Sequence, residues 1–500
     1  LLVCDAQDQP VLATLAEKLA TVLLAKAGSL IPGGGLWLHT QRPEWNDANN
    51  ALVGNGLSVV TLAHLRRFLA FLAQLPPAGR PFQLSADTLE ALAGFRSIVR
   101  ETPLTAIDDD VERRTFLDRA GALLERWRKE AYRGAAARAP ARAPEGLLPG
   151  IARDLLPLVD ATLARCKRAD GLYESYNLVE FLPGKATIGH LYPMLEGQVA
   201  LLSCGLLTLS ESVRLLDALF ASPLFSAKHG SFLLYPDRSL PGFLERNQLD
   251  ADMLDLAVVK SVIAAGRTDV LQAQSDGTVR FAPEIANQHD LEAIAADLGP
   301  ALPELVAVYE RVFSHREFTG RSGTMFGYEG LGCVYWHMVA KLLQAVQERV
   351  FEAADRNAPE LDALCDYYRR IRDGLGYRKS VQAYGAFPAD PYSHSPGEGG
   401  AQQPGMTGQV KEEILTRWGE LGLRMREGRV HFNPVLLDAE EIPLGGSLTF
   451  TWARIPYTYR RGERTSIRVN DGTRWQDCPD RSFEPAHVRA VEADVHFTAR

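Results

Sequence analysis

Apolar residues recur at helical spacing through most of the first 428 positions. Leu62, Leu65, Phe68, Leu69, Leu72 and Leu75 fall on one helix face, as do Met338, Leu342, Ala345 and Val346 and, later, Val410, Ile414, Trp418 and Leu421. Each stripe predicts an amphipathic helix with that face toward a core. Thr208 followed by Glu211 is a capping-box signal ahead of the stripe Val213, Leu216, Leu219 and Phe220. Between about 135 and 146 the chain is rich in Ala, Pro and Arg, which predicts an exposed linker within a helical insertion at roughly 85–165. After Gly428 the period drops to two, with Leu448, Phe450 and Trp452 on one face. The expected organisation is a helical region over 1–428 and a small β-domain over 429–500. Many helices joined by long loops bearing Gly and Pro suit a mainly α fold, an (α/α)6 toroid whose loops at one end build the site.

Composition narrows the partners. Five hundred residues, 46% hydrophobic and 23% charged, can bury a large core. A formal charge of −8 argues against nucleic acid, which calls for clustered Lys and Arg with a positive balance. A neutral or weakly charged ligand fits better. Cys4, Cys166, Cys204, Cys333, Cys365 and Cys478 are scattered, with no CxxC and no metal-ligand spacing, so they are read as reduced and mostly buried, which favours the cytoplasm. No apolar run approaches the length of a membrane span, and no secretory leader is evident. The chain starts without Met in a helical pattern, and is expected to be part of a longer protein. The composition admits a homodimer, and no organic cofactor or metal is expected.

Four segments concentrate chemistry. RPEWNDANN places Arg42, Glu44, Trp45, Asn46, Asp47, Asn49 and Asn50 before an apolar helix. Aromatic faces stack on sugar rings, and Asn, Asp and Arg bond hydroxyls. A carboxyl group beside Trp45 is partly desolvated, which raises its pKa and suits Asp47 to protonate a leaving glycosidic oxygen. The plainer alternative is that Asn46 or Asp47 caps the next helix. A glycine-rich stretch carries Arg321, Tyr328, Glu329, Tyr335 and His337, where His337 alone is as well explained by a structural hydrogen bond. A third holds Asp390, His394, Gln402, Gln403, Thr407 and Gly408 ahead of a helix whose N-terminus would favour an anion, although Thr407 also reads as an ordinary cap. The fourth carries His190, Tyr192, Glu196 and Gln198 at the head of a helix, with Glu196 equally explained as a first-turn acid.

In order and content these segments resemble the cellobiose phosphorylase family of inverting glycoside phosphorylases, a six-hairpin glycosidase-like fold ending in a small β-domain. EWNDANN is similar to that family's W-N-D signature, which implies Asp47 as general acid. MLEGQVALLSCGLL is similar to a helix that follows a site loop. YEGLGCVYWHM is similar to the family's E-N-G-G-x-Y-x-H segment, implying a phosphate contact from His337 and placing Glu329 at the Glu. MTGQV is similar to the T-G-S-A loop, implying that Thr407 and Gly408 hold phosphate. Arg42, Glu44, Trp45, Asn46, Asn50, Glu196, Gln198 and Tyr328 are then the expected sugar contacts. The chain departs from the pattern at Leu331-Gly332, which replaces Asn-Gly, at Gln409-Val410, which replaces Ser-Ala, and near Ala389, where a phosphate-binding Gln is missing unless Gln402 or Gln403 serves. The resemblance implies phosphorolysis of β-linked glucosides or oligosaccharides with inorganic phosphate as co-substrate. Two alternatives stay open. One is an inverting hydrolase, with Glu329 or Asp390 as base roughly 6.5–9.5 Å from the acid; the other is a non-catalytic carbohydrate-binding barrel. The family also places several helices and a β-sandwich ahead of the W-N-D loop.

Overall fold

The computed structural model describes residues 4, 8–10, 12–39, 52–75, 82–132, 140–237, 242–314, 332–387, 392–397, 400–404 and 407–497. The chain divides into two compact units. One comprises Leu1–Arg168, Tyr173–Pro193 and Tyr235–Gly332; the other comprises Ala169–Leu172, Met194–Leu234 and Cys333–Arg500.

The first unit sets helices against an antiparallel five-stranded sheet, in the order Leu30–Ile31, Gly35–Trp37, Gly56–Ser58, Tyr176–Leu182 and Lys185–His190. Helix Val59–Gln74 starts where the third strand stops, because the Ser58 hydroxyl accepts from the Thr61 amide at 3.0 Å and satisfies an otherwise orphaned donor. Its face Leu62, Leu65, Leu69 and Leu72 is buried, as the spacing predicts. It lies along Leu147–Arg165, with Arg66 Nε 2.9 Å from Asp160 Oδ1. Arg113, only 3% exposed, ties its helix to the sheet by donating to the carbonyls of Pro32 and Ala186, each at 2.7 Å. Within this unit, residues 242–314 have a core of their own, in which Phe281 packs on Tyr309 and Phe313. Buried Asn247 pairs with the Phe281 backbone in both directions, donating to its carbonyl at 3.0 Å and accepting from its amide at 2.9 Å. Arg246 donates to Ser314 at 2.6 Å, which holds the two ends of this stretch together.

The second unit is built around helix Trp336–Arg356, which packs against Leu195–Ser203, Leu361–Asp373 and Thr407–Glu420. Helix Leu209–Ala221 carries both halves of the capping box at Thr208 and Glu211. A five-stranded sheet follows, in the order Leu448–Trp452, Ile455–Arg461, Ala490–Val495, Ser466–Asn470 and Trp475–Asp477. Within it Ile455–Arg461 runs parallel to Ala490–Val495, and the other neighbours are antiparallel. Leu448, Phe450 and Trp452 pack on the core beneath while Thr449 and Thr451 face water, as the alternation predicts.

Two expectations are corrected. The described residues do not form a clear (α/α)6 toroid, because their helices are interleaved with seven separate sheets. Many of the strands are only two or three residues long, too short to show an alternation, so a reading based on helical periodicity passes over them as loops. The second correction concerns Thr407–Glu420. Val410, Ile414 and Trp418 are 38%, 46% and 38% exposed while Leu421 of the same stripe is buried, and the buried side chains within the helix are Gln409, Glu412, Thr416 and Glu420. Those four share a face at helical spacing, so this helix turns its polar side inward.

Candidate functional site

The expected acid and its neighbours Arg42, Glu44, Trp45, Asn46, Asp47 and Asn50 lie outside the described residues, as do Tyr328, Glu329 and Asp390. The backbone flanking the Asp47 segment is anchored. Gly54 N donates to Leu38 O at 2.7 Å, Leu38 N to Gly56 O at 2.9 Å, and Trp37 Nε1 to Gly54 O at 2.8 Å. The helix Val59–Gln74 is capped by Ser58.

In the second unit, the expected residues Glu196, Gln198, His337, Thr407 and Gly408 sit on three helices, and backbone bonds link the starts of the first two. Leu195 N donates to Leu234 O at 3.1 Å, and Leu234 N donates to Cys333 O at 3.0 Å. Strand Val334–Tyr335 pairs with Tyr392–Ser395, putting Tyr335 opposite His394, and His394 in turn faces Gln402 on strand Gln402–Pro404. Helix Thr407–Glu420 begins shortly after that strand, with Thr407 and Gly408 in its first turn. These bonds relate the first turns of Leu195–Ser203 and Trp336–Arg356, and Thr407–Glu420 packs along the second of these helices. A helix start presents amides that its own ladder does not use and a partial positive charge, so the arrangement favours an anion. Trp336, 1% exposed, locks the junction by donating to Ser395 Oγ at 3.0 Å and packing edge-on against Tyr384.

His337 is 4% exposed in the first turn of its helix. Its Nε2 lies 3.2 Å from Oε2 of Glu412, itself 3% exposed. Burial pulls the imidazole below its ordinary pKa; Glu412 opposes this, and Lys341 reinforces it. Beside them, Gln409 donates to Glu413 Oε1 at 2.7 Å, and burial pushes the Glu413 carboxyl upward. Farther along the inward polar face, Tyr368 donates to Glu420 Oε1 at 2.9 Å and Arg417 to Glu420 Oε2 at 2.9 Å. Gln347 bonds the Thr416 carbonyl at 2.7 Å. Gly419 allows that approach, since a Cβ there would stand 2.3 Å from the Gln347 side chain.

Glu196 is buried in the first turn of its helix. Gln198 is fully buried and donates to the Met194 carbonyl at 2.9 Å, which closes the start of the same helix. His190 is not at a helix head but at the end of strand Lys185–His190, in the first unit. There its Nδ1 is 2.9 Å from Asn177 Oδ1, and nearby Glu174, 5% exposed, accepts from Arg168 at 2.9 and 3.0 Å. Sequence reasoning passes over Glu412, Glu174 and Arg168 as site residues. The only sequence signal for Glu412 is its placement three residues after Gln409 on a face that carries no large apolar side chain.

Two open cavities, of about 630 and 830 Å³, lie in the β-rich end of the second unit, lined by residues such as Arg454 and Arg489, and Arg369 and Arg481. Neither contains an expected site residue. Among the described residues no cluster of His, Cys, Asp and Glu is arranged to hold a metal ion, and no helix is long and apolar enough to cross a membrane. None of the six cysteines is in a disulfide, and four are buried.

Residues 240–316 match the family model described as GH149 phosphorylase insertion domain 2. The match covers the stretch with its own core and relates the chain to glycoside phosphorylases, without singling out the cellobiose phosphorylases. It also adds an insertion where the sequence pattern predicts none. No curated protein matches the chain.

Proposed function

We propose that this chain carries the catalytic part of an inverting glycoside phosphorylase acting on β-linked glucosides or oligosaccharides. Inorganic phosphate attacks the anomeric carbon from one face of the sugar while Asp47 protonates the departing oxygen on the other, giving a sugar 1-phosphate of inverted configuration. Phosphate sits near His337, Thr407 and the Gly408 amide. Arg42, Glu44, Trp45, Asn46, Asn50, Glu196, Gln198 and Tyr328 contribute to the sugar side of the site. No organic cofactor enters the scheme, because phosphate is itself the nucleophile.

The observation that carries this reading is the pair of linked helix starts at Leu195 and Trp336, with a buried His in the second of them. Amide groups and helix dipoles at such a junction stabilise negative charge at no cost in reorganisation. The phosphorylase-type match over residues 240–316 supports the same reaction class. The test is His337→Ala. Its phosphate KM should rise while oligosaccharide binding, read by calorimetry, stays near that of the parent protein. An unchanged phosphate KM in the folded variant counts against a phosphate site there.

A further inference from the structure

The larger of the two open cavities, about 830 Å³, lies wholly within the second unit, and its size suits a small organic ligand. None of the expected site residues lines it, and the family match lies elsewhere in the chain. Two of its walls carry guanidinium groups, Arg369 from helix Leu361–Asp373 and Arg481 from the turn before strand Ser482–Phe483. The Asp438 carboxylate lines the same cavity but is already answered, since its Oδ2 accepts from buried Arg372 at 2.6 Å, while Arg369 Nε stands 3.9 Å from its Oδ1. Arg369 also approaches Asp366 at 3.5 Å, an exposed pair and therefore a weak one. Among the described residues Arg481 makes no ion pair.

Arg481 also holds a left-handed backbone conformation, with φ 54°. Its amide donates to Cys478 O at 2.9 Å and its carbonyl accepts from the Phe432 amide at 2.9 Å, so the turn fixes this conformation. Glycine fills such a position without strain, whereas a residue with a Cβ is strained in it. The turn accounts for the conformation but not for the arginine, and strain kept at a cavity wall points to a use for the side chain. The remaining wall differs in character. Asn433, Asp438 and Glu440 bring the amide and carboxylate groups that bond hydroxyls, and Phe497 brings a ring. The Arg461 guanidinium lies 5.6 Å from the centre of that ring and donates to Ile442 O at 2.6 Å, which steadies Phe497.

We propose that this cavity is a ligand site sharing no residue with the proposed phosphorolysis site, and that it takes a phosphorylated sugar. Arg481 and Arg369 hold the phosphate, whose oxygens a guanidinium matches in pairs. Asn433, Asp438 and Glu440 bond the ring hydroxyls, with Phe497 against the sugar. Inorganic phosphate alone would leave most of the cavity empty, and a neutral sugar would leave Arg481 unanswered, so the ester is the ligand that uses both sets of groups. The inference goes beyond the phosphorylase reading and does not depend on it.

The experiment follows hydrogen exchange by mass spectrometry over residues 433–440 and 479–483, which report on this wall and not on the groups proposed for catalysis. The parent protein, Arg481→Gly and Arg369→Gln are each titrated with glucose 1-phosphate, glucose and inorganic phosphate. Glucose 1-phosphate should slow exchange in both stretches of the parent protein. Its half-saturating concentration should rise about tenfold or more in each variant, as expected for losing a charge-assisted contact. Because glycine relieves the strain at this position, Arg481→Gly should keep the parental Tm or exceed it. A lower Tm with an unchanged titration would mark Arg481 as structural and overturn the proposal. No protection of the parent protein by glucose 1-phosphate overturns it as well, and so does equal protection by glucose alone or by inorganic phosphate alone. If Arg481→Gly does not fold, Arg369→Gln decides: a tenfold weaker titration supports the site, and a parental one rejects it. Phosphate-dependent turnover is measured separately, so failure of the phosphorylase reading and failure of this one are told apart.

Discussion

His337 and Glu412 leave water together, and each makes the other's burial tolerable. Their pairing also has a consequence for stability. Burial depresses the His337 pKa below the ordinary 6.5 in the folded chain, so the unfolded chain binds this proton more readily. The contribution is therefore complete above about pH 6.5 and is lost as the pH falls through that value toward the folded pKa. His190 and His229 are displaced in the same direction, chiefly by burial. The urea midpoint should fall between about pH 7.5 and pH 5.5, and the fall should be shallower in His337→Gln. Equal slopes would show that the ring is not held neutral. Asp47 carries the other residue-scale expectation. Asp47→Asn should fold and lose turnover on the order of 10²-fold or more, because a general acid contributes rate rather than packing. Near-native kcat in the folded variant would remove Asp47 from the mechanism. The Asp47 cluster is legible because Trp45, Asn46 and Asn50 crowd a short stretch, whereas Glu412 is not, since its partner is distant in sequence and its charge reads as a solvated helix face.

At the scale of elements, long helices are the most legible feature. Val59–Gln74 and Trp336–Arg356 bury the stripes that their spacing predicts, and Thr208 with Glu211 caps its helix as expected. Thr407–Glu420 departs because apolar periodicity marks an inward face only when the core it meets is apolar. Here Gln347, Tyr368 and Arg372 supply polar partners, so Thr416 and Glu420 turn inward while Ile414 faces out. Ile414→Gln should accordingly change stability by about 0.5 kcal/mol or less. Leu343→Ala, at a site 1% exposed, should cost roughly 2–5 kcal/mol. Denaturant titration of the two variants checks this, and a comparable loss in both would return the Ile414 stripe to the core. The strands of two and three residues near the three helix starts are unreadable for a different reason: their pairing depends on segments far apart in sequence, such as Tyr335 with His394.

At the scale of the whole molecule, the long helices and the alternating strand Leu448–Trp452 are visible in the sequence, but the arrangement of helices is not. Periodicity states that a helix has a buried face, not which element covers it. The (α/α)6 expectation fails there, on sheets built from strands that carry no pattern. The insertion at 240–316 escapes notice because its helices share the composition of the rest; it is set apart by a closed core around Phe281, Tyr309 and Phe313. The central claim concerns the reaction, and one measurement addresses it most directly: incubating the complete protein with a panel of β-linked gluco-oligosaccharides, with and without inorganic phosphate, and quantifying sugar 1-phosphate and free sugar. The account predicts sugar 1-phosphate of inverted configuration, formed only when phosphate is present. Free sugar released at the same rate in phosphate-free buffer would contradict it.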